Sequence, residues 1–301
     1  MNKVLINNVI KKHCNSVKKY IFSNDAIIYE DSNNNKFVAK RNKDANIINI
    51  YNYLNSRGFD YIPKLVYYNH YGYIYEYLED INSPDEEKIS DIIKLISLLH
   101  NKTVYYKEVS VDEIKEIYEN LSFKIKNIYD YYENIISMIE SKIYMSPSEY
   151  MLVRNCSSIF FCINFCSKTL DAWFEKVKNK TKKRQVLLHN NLSLNHIIKN
   201  KENRLISWNY SLRDLPIYDF IKLYKNNYNK YDFSELFKEY NNMFPLLEEE
   251  KMLLFVILFL PKKLEFTNNE LLNTKNVCEL CNYLYNTDNL FMENEAKNSE
   301  K

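Results

Sequence analysis

Two stretches of the chain gather the side chains whose types and spacing could do chemistry. One is Leu187-Leu188-His189-Asn190-Asn191-Leu192-Ser193-Leu194-Asn195-His196-Ile197-Ile198, and the other is Leu205-Ile206-Ser207-Trp208-Asn209. Asn191 is a neutral amide. Its oxygen accepts hydrogen bonds but takes no proton at useful pH, so it could orient a hydroxyl and do no more. His196 offers a ring nitrogen, which suits zinc and other transition metals better than Mg²⁺. Ser207 is a neutral hydroxyl, a poor ligand for a cation that usually demands at least one carboxylate. Away from these stretches, Lys40 closes the run Val38-Ala39-Lys40 as a single point of positive charge.

Other chemistries are excluded by residue type. The chain has only 2 glycines, Gly58 and Gly72, and they are far apart. A phosphate-cradling loop needs glycines for positive φ and close backbone approach, so neither a P-loop nor a glycine-rich kinase loop can be written. The 6 cysteines include the pair Cys278 and Cys281, which lacks a second pair or a nearby histidine, and Cys162 and Cys166, one helical turn apart. Both pairs sit in apolar helical patterns and are expected as buried small hydrophobes rather than metal or redox groups.

The elements that must position these residues follow from periodicity. Residues 2–20 read as a short helix. Ala26–Glu30 and Lys36–Lys40 flank the polar Asp31–Asn35 as a β-hairpin. Ile47, Ile48, Ile50, Tyr51 and Leu54 form a helical face that Gly58 would cap. After Pro63, Lys64–Tyr68 and Tyr73–Leu78 give a second strand pair. From residue 89 the pattern turns helical, with faces at Ile92 to Leu99, Ile114 to Ile139 and Leu152 to Val177. A basic loop, 176–184, leads to strand-like pieces at 185–189 and 204–208, and helices resume from Tyr218. The expected organisation is α+β: residues 1–81 as a β-rich N-lobe, 82–292 as a helical C-lobe and 293–301 as a polar tail.

Composition narrows the partners. With 41 Lys+Arg against 39 Asp+Glu, the net charge of +2 points to no nucleic-acid or membrane partner. The longest apolar run, Met252–Leu260, is too short to span a bilayer. The polar N-terminus does not read as a signal peptide. A reduced, soluble, cytoplasmic protein is expected. The 27 tyrosines, with much Asn, Ile and Lys, suggest an AT-rich coding sequence from a low-GC bacterium.

The element order and the two motif stretches resemble the aminoglycoside phosphotransferase and choline kinase superfamily over roughly residues 25–260. The spore-coat kinase-like proteins of low-GC spore formers look most similar. The resemblance implies a protein-kinase-like two-lobe fold. Lys40 then stands where the family's lysine neutralises nucleotide phosphates, and Tyr75-Glu76-Tyr77-Leu78-Glu79 stands as the hinge strand whose backbone pairs the adenine edge. The helix after Lys40, beginning Asn46-Ile47-Ile48-Asn49, lacks the family's lysine-holding glutamate. Leu95–His100 matches the helix packed behind the active site. In the family's catalytic loop, Asn191 occupies the position of the catalytic-base Asp. His196 and Ser207 occupy the metal-binding positions. His189, Trp208 and Asp219, the last within Asp214-Leu215-Pro216-Ile217-Tyr218-Asp219-Phe220, keep the structural frame.

A frame retained with its ionic positions replaced implies a pseudokinase, a non-catalytic module that binds an unidentified protein partner or small molecule, with a spore-coat role if the source sporulates. On that reading no cofactor is expected. The other reading is an active phosphotransferase using ATP and Mg²⁺ on a small-molecule hydroxyl through rearranged residues, with Asn195, Asp214 and Glu202 as the candidates for relocated ligands.

Overall fold

The computed structural model describes residues 2–14, 16–23, 26–41, 47–81 and 83–298. The chain opens with α1 (Asn2–His13), β1 (Val17–Ser23), β2 (Ala26–Asp31), β3 (Lys36–Arg41), α2 (Ile47–Ser56), β4 (Leu65–Tyr68) and β5 (Gly72–Glu76). It continues through α3 (Asp85–Thr103), β6 (Tyr105–Glu108), α4 (Val111–Glu140), α5 (Pro147–Arg154), α6 (Cys156–Val177) and β7 (Lys182–Leu188). Then come β8 (Ile197–Ile198), β9 (Arg204–Leu205), β10 (Leu212–Asp214), α7 (Ile217–Asn227), α8 (Phe233–Met243), α9 (Glu248–Phe259) and α10 (Glu270–Asn298).

These elements pack as two compact units: residues 1–104 with 186–214, and residues 105–185 with 215–301. The end of β7 and the segment after it lie with the first unit, where Leu205 N–H donates to Tyr61 O at 2.9 Å and Leu187 N–H to Thr103 Oγ1 at 3.1 Å.

The first unit is built on an antiparallel sheet of order β1-β2-β3-β5-β4. Its register sets Ile28 beside Val38 and Val38 beside Tyr75. Because successive strand residues face opposite ways, Ile27, Tyr29, Ala39 and Ile74 share the other face. There they pack against Val9 and Ile10 of α1. At the start of β5 the backbone comes so close to Lys40 that a Cβ on Gly72 would lie 2.4 Å from the Lys40 carbonyl oxygen, so no side chain fits. Gly58 ends α2 at φ +66°; its N–H donates to Asn55 O, and Phe59 N–H donates to Leu54 O. That pair of bonds is the helix stop that Gly58 was expected to supply.

The second unit is nearly all helix. Its only described sheet pairing is β6 with the first half of β7, Tyr105 facing Gln185 and Glu108 facing Lys182. Against α6 pack α4 and α9.

The structure corrects the sequence reading in several places. Residues 17–20 are strand, not helix: Val17, Tyr20, Ile21 and Phe22 are β-branched or aromatic and pair with β2. The helix expected over 152–177 is two, broken at Asn155, whose side-chain amide donates to Met151 O at 2.8 Å. Residues 182–184 are strand, since the short β6 gives their alternate residues a partner. The expected polar tail is helical as far as Asn298. Asn46 and residues 299–301 lie outside the described residues.

The cysteines are free. Cys162 and Cys166 are buried in α6, and burial pushes the Cys162 thiol up to about 12, far from the thiolate form. No described helix is long and apolar enough to cross a membrane.

Candidate functional site

The site lies in the first unit, between the β2–β3–β5 face and the segment that follows β7. A cavity of about 600 Å³ is lined by Ala26 and Ile28 of β2, Val38 and Lys40 of β3, and Tyr75 of β5 with Tyr77 beyond it. Residues Asn191, Ser193, Asn195, His196, Ser207, Asn209 and Tyr210 close it from the other side. The period of two along each strand selects this set. Lys40, Val38, Tyr75 and Tyr77 fall on one face, and Glu76 falls on the other.

Hydrogen bonds within the unit hold several of the polar groups. Lys40 Nζ donates to Ser207 Oγ at 2.9 Å and lies 5.9 Å from the centre of the Tyr75 ring. Ser207 presents that hydroxyl from a left-handed backbone, φ +71°, which costs a non-glycine residue about 1–2 kcal/mol. Asn190 is also left-handed, at φ +56°, a conformation asparagine tolerates, and its amide donates to Tyr210 O at 2.9 Å. Asn191 Nδ2 donates to Ser207 O at 3.4 Å. Tyr73, buried beside Tyr75, donates its hydroxyl to Asn209 Oδ1 at 2.7 Å.

The histidine tautomers follow from their partners. His196 Nδ1 lies 2.5 Å from the Asn191 carbonyl oxygen. A carbonyl only accepts, so Nδ1 carries the hydrogen and Nε2 is left as the acceptor. Burial holds the His196 imidazole below its ordinary pKa and the Lys40 charge adds to that, against the opposing bond to Asn191 O. His189 donates from Nε2 to Ile206 O at 2.9 Å by the same logic. Its ring meets Trp208 edge-on at 4.7 Å, and the Trp208 indole N–H donates to Leu205 O at 2.7 Å. Both rings are buried, forming a floor on which the 189–210 segment is shaped.

The structure therefore brings Lys40, Tyr77, Asn191, His196 and Ser207 to one cavity. His189 and Trp208 lie beneath it. Glu76 does not line it: its carboxylate takes the Arg204 guanidinium at 2.9 Å and the Lys64 N–H at 3.0 Å. The Tyr77 N–H, part of the expected adenine-pairing hinge, donates to Lys36 O at 3.1 Å. Asp219 belongs to the second unit, fully buried in the first turn of α7, where a carboxylate suits the positive end of the helix. Of the residues considered for relocated ligands, Asn195 lines the cavity and Asp214 and Glu202 do not. Glu202 is 3.5 Å from Arg204. Tyr75 and Asn209 lie within the stretches singled out from the sequence but were given no role of their own there, and Tyr210 was missed; the alternation of Tyr73, Tyr75 and Tyr77 along β5 is the signal that marks Tyr75.

Among the described lining residues there is no Asp or Glu. No group of three or more His, Cys, Asp or Glu side chains able to hold a metal occurs among the described residues. The donor set does not fit Mg²⁺, which wants carboxylate and other hard oxygen ligands in octahedral array.

No protein-family model matches the sequence, and no curated protein matches it. Solved structures do. An aminoglycoside phosphotransferase from Alicyclobacillus acidocaldarius subsp. acidocaldarius DSM 446 superposes with a TM-score of 0.69 at 11% identity, over 96% of each chain. The AMP-bound complex of a spectinomycin phosphotransferase gives a TM-score of 0.53 at 12% identity, over 95% of this chain and 97% of that one. The same enzyme in complex with ADP and spectinomycin gives 0.50 at 12% identity, over 96% and 98%. At these identities the likeness is one of fold: this chain has the α+β, kinase-like fold of the aminoglycoside phosphotransferases.

Proposed function

We propose that this chain is a pseudokinase, a non-catalytic kinase-fold protein that works as a binding or scaffold module. The observation that carries the reading is the Lys40–Ser207 bond of 2.9 Å. The lysine at the phosphate-pairing position meets a neutral hydroxyl at the position where the resemblance puts a metal-binding carboxylate. Phosphoryl transfer by this fold depends on positioning and on charge neutralisation by metal. The cavity supplies amides, hydroxyls, an imidazole held neutral by burial, and Lys40. Asn191 can orient a hydroxyl but cannot take its proton. No step through Mg²⁺ is derived for this donor set.

The spectinomycin phosphotransferase complexes with AMP and with ADP make the nucleotide the right probe. Calorimetric titration of ADP into the native chain, with and without Mg²⁺, is expected to show no more than a twofold effect of the metal. The variant Asn191→Asp/His196→Asn/Ser207→Asp is expected to gain at least a tenfold dependence on Mg²⁺. ATP turnover by the native chain on a panel of hydroxylated small molecules, abolished by Asp214→Asn, would instead establish an active phosphotransferase with relocated residues.

A further inference from the structure

The sheet of the first unit has two edges, β1 and β4. An edge strand offers backbone N–H and C=O groups to any passing strand, and proteins ordinarily blunt it by shortness, irregularity, charge or proline. β4 is blunted: it is 4 residues long, with a register shift between Leu65 and Tyr67. β1 is 7 residues long; it too has a register shift, between Val17 and Lys19, but from Lys19 to Ser23 its pairing with β2 is unbroken. No described strand lies on its outer side. Tyr20, Ile21 and Phe22 are 43%, 48% and 55% exposed. Being consecutive, they put apolar surface on both faces of the strand. The charge in β1 is all positive and sits at one end, on Lys18, which donates to Asn34 Oδ1 at 2.5 Å, and Lys19.

We propose that the outer edge of β1 docks an extended segment of a partner protein, added as a further antiparallel strand, whose sequence runs apolar, apolar, aromatic, acidic. The inner edge shows what β1 accepts. There β2 sets Ile27 against Phe22, Ile28 against Ile21, Tyr29 against Tyr20 and Glu30 against Lys19. The side chains of β1 are shared by strands on either side, so the outer edge makes the same demand. A second copy of β1 does not meet it. Antiparallel pairing centred on Tyr20 would set Lys18 against Phe22 and Lys19 against Ile21 with no acid, and in-register parallel pairing would set lysine on lysine. Charge complementarity therefore selects an acidic partner strand over self-association. The inference involves neither Lys40 nor the 189–210 segment, so it stands or falls apart from the pseudokinase reading.

The test uses the whole chain and two labelled peptides, Ala-Ile-Ile-Tyr-Glu-Asp, which copies β2, and its counterpart ending Lys-Lys. The acidic peptide is expected to bind at least tenfold more tightly by fluorescence anisotropy. At saturation it should slow exchange of the alternate amides of residues 19–22 that face away from β2 at least tenfold, and leave residues 65–68 unchanged. Lys18→Glu/Lys19→Glu should reverse the preference. Because Lys19 faces Glu30, that variant risks misfolding; Lys18→Gln/Lys19→Gln, checked by circular dichroism, should abolish the preference instead. Equal binding of the two peptides would overturn the proposal. So would unchanged exchange in β1 at saturation, or a native dimer in sedimentation whose β1 amides are already protected without peptide.

Discussion

Two polar clusters, one in each unit, treat charge in opposite ways. In the second unit Arg184 and Glu250 form a buried pair, their side chains 10% and 4% exposed. Arg184 Nε donates to Glu250 Oε1 at 2.9 Å, Nη2 donates to Glu250 Oε2 and to Pro245 O, and the guanidinium lies 4.4 Å from the Phe244 ring centre. Glu250 Oε2 also takes the Leu247 N–H. Arg184 Nε and Nη2 and both Glu250 oxygens have partners in a fixed fork, the condition under which a buried ion pair survives its desolvation cost. In the first unit the cavity polar groups are amides, hydroxyls and imidazole around Lys40. The chain does not avoid buried carboxylates as such, but none is among the described residues that line this cavity. Two carboxylates facing one cavity repel unless a cation lies between them. Amide, hydroxyl and ammonium groups can satisfy one another by hydrogen bonds, as Lys40 and Asn191 do with Ser207.

The largest effect should come from breaking the charged cluster. Glu250→Ala leaves Arg184 buried beside Phe244 without its carboxylate and is expected to cost about 3–5 kcal/mol in chemical denaturation. Replacing both partners with apolar residues, Arg184→Met/Glu250→Leu, should recover most of that. A single-variant cost as small as that of Lys40→Met, which removes a neutral-acceptor bond of about 1 kcal/mol, would break the contrast between the clusters.

Next in size is Trp208→Phe. It leaves the Leu205 carbonyl without the indole N–H and loosens the ring packing on His189. A loss of about 1–3 kcal/mol is expected. Nuclear magnetic resonance should place the accompanying shifts at the 189–210 residues.

The smallest effect is a pH slope. The folded pKa of His196 lies below its unfolded value because of burial and the Lys40 charge. Above the unfolded value, near 6.5, the ring is neutral in both states and its stability contribution is complete. As pH falls below that, the unfolded chain binds the proton first, and stability is lost until the folded pKa is passed. His13, also lowered by burial, acts in the same direction. His196→Gln should therefore flatten, without abolishing, the fall in denaturation midpoint between pH 6.5 and 5. An unchanged slope would show that His196 does not titrate differently in the two states.

Much of this was legible in the chain itself. The hairpin of β2 and β3, the helix stop at Gly58 and the long face of α4 are written in local periodicity and turn chemistry, which depend on neighbours in sequence. β6, the lower half of β7 and the strand at 17–23 were not, because a short strand is stabilised by a partner distant in sequence rather than by its own pattern. The neutral residues at 191, 196 and 207 were legible as residue types, since an amide or hydroxyl cannot become a carboxylate by folding. Only the tertiary structure decided that they meet. It sets Ser207 Oγ on Lys40, 167 residues away in sequence, through a left-handed backbone that no serine signals in advance. It also turned Glu76 to the opposite face of β5 from Tyr75 and Tyr77, because the phase of a strand against a cavity is fixed by its register with the strands beside it.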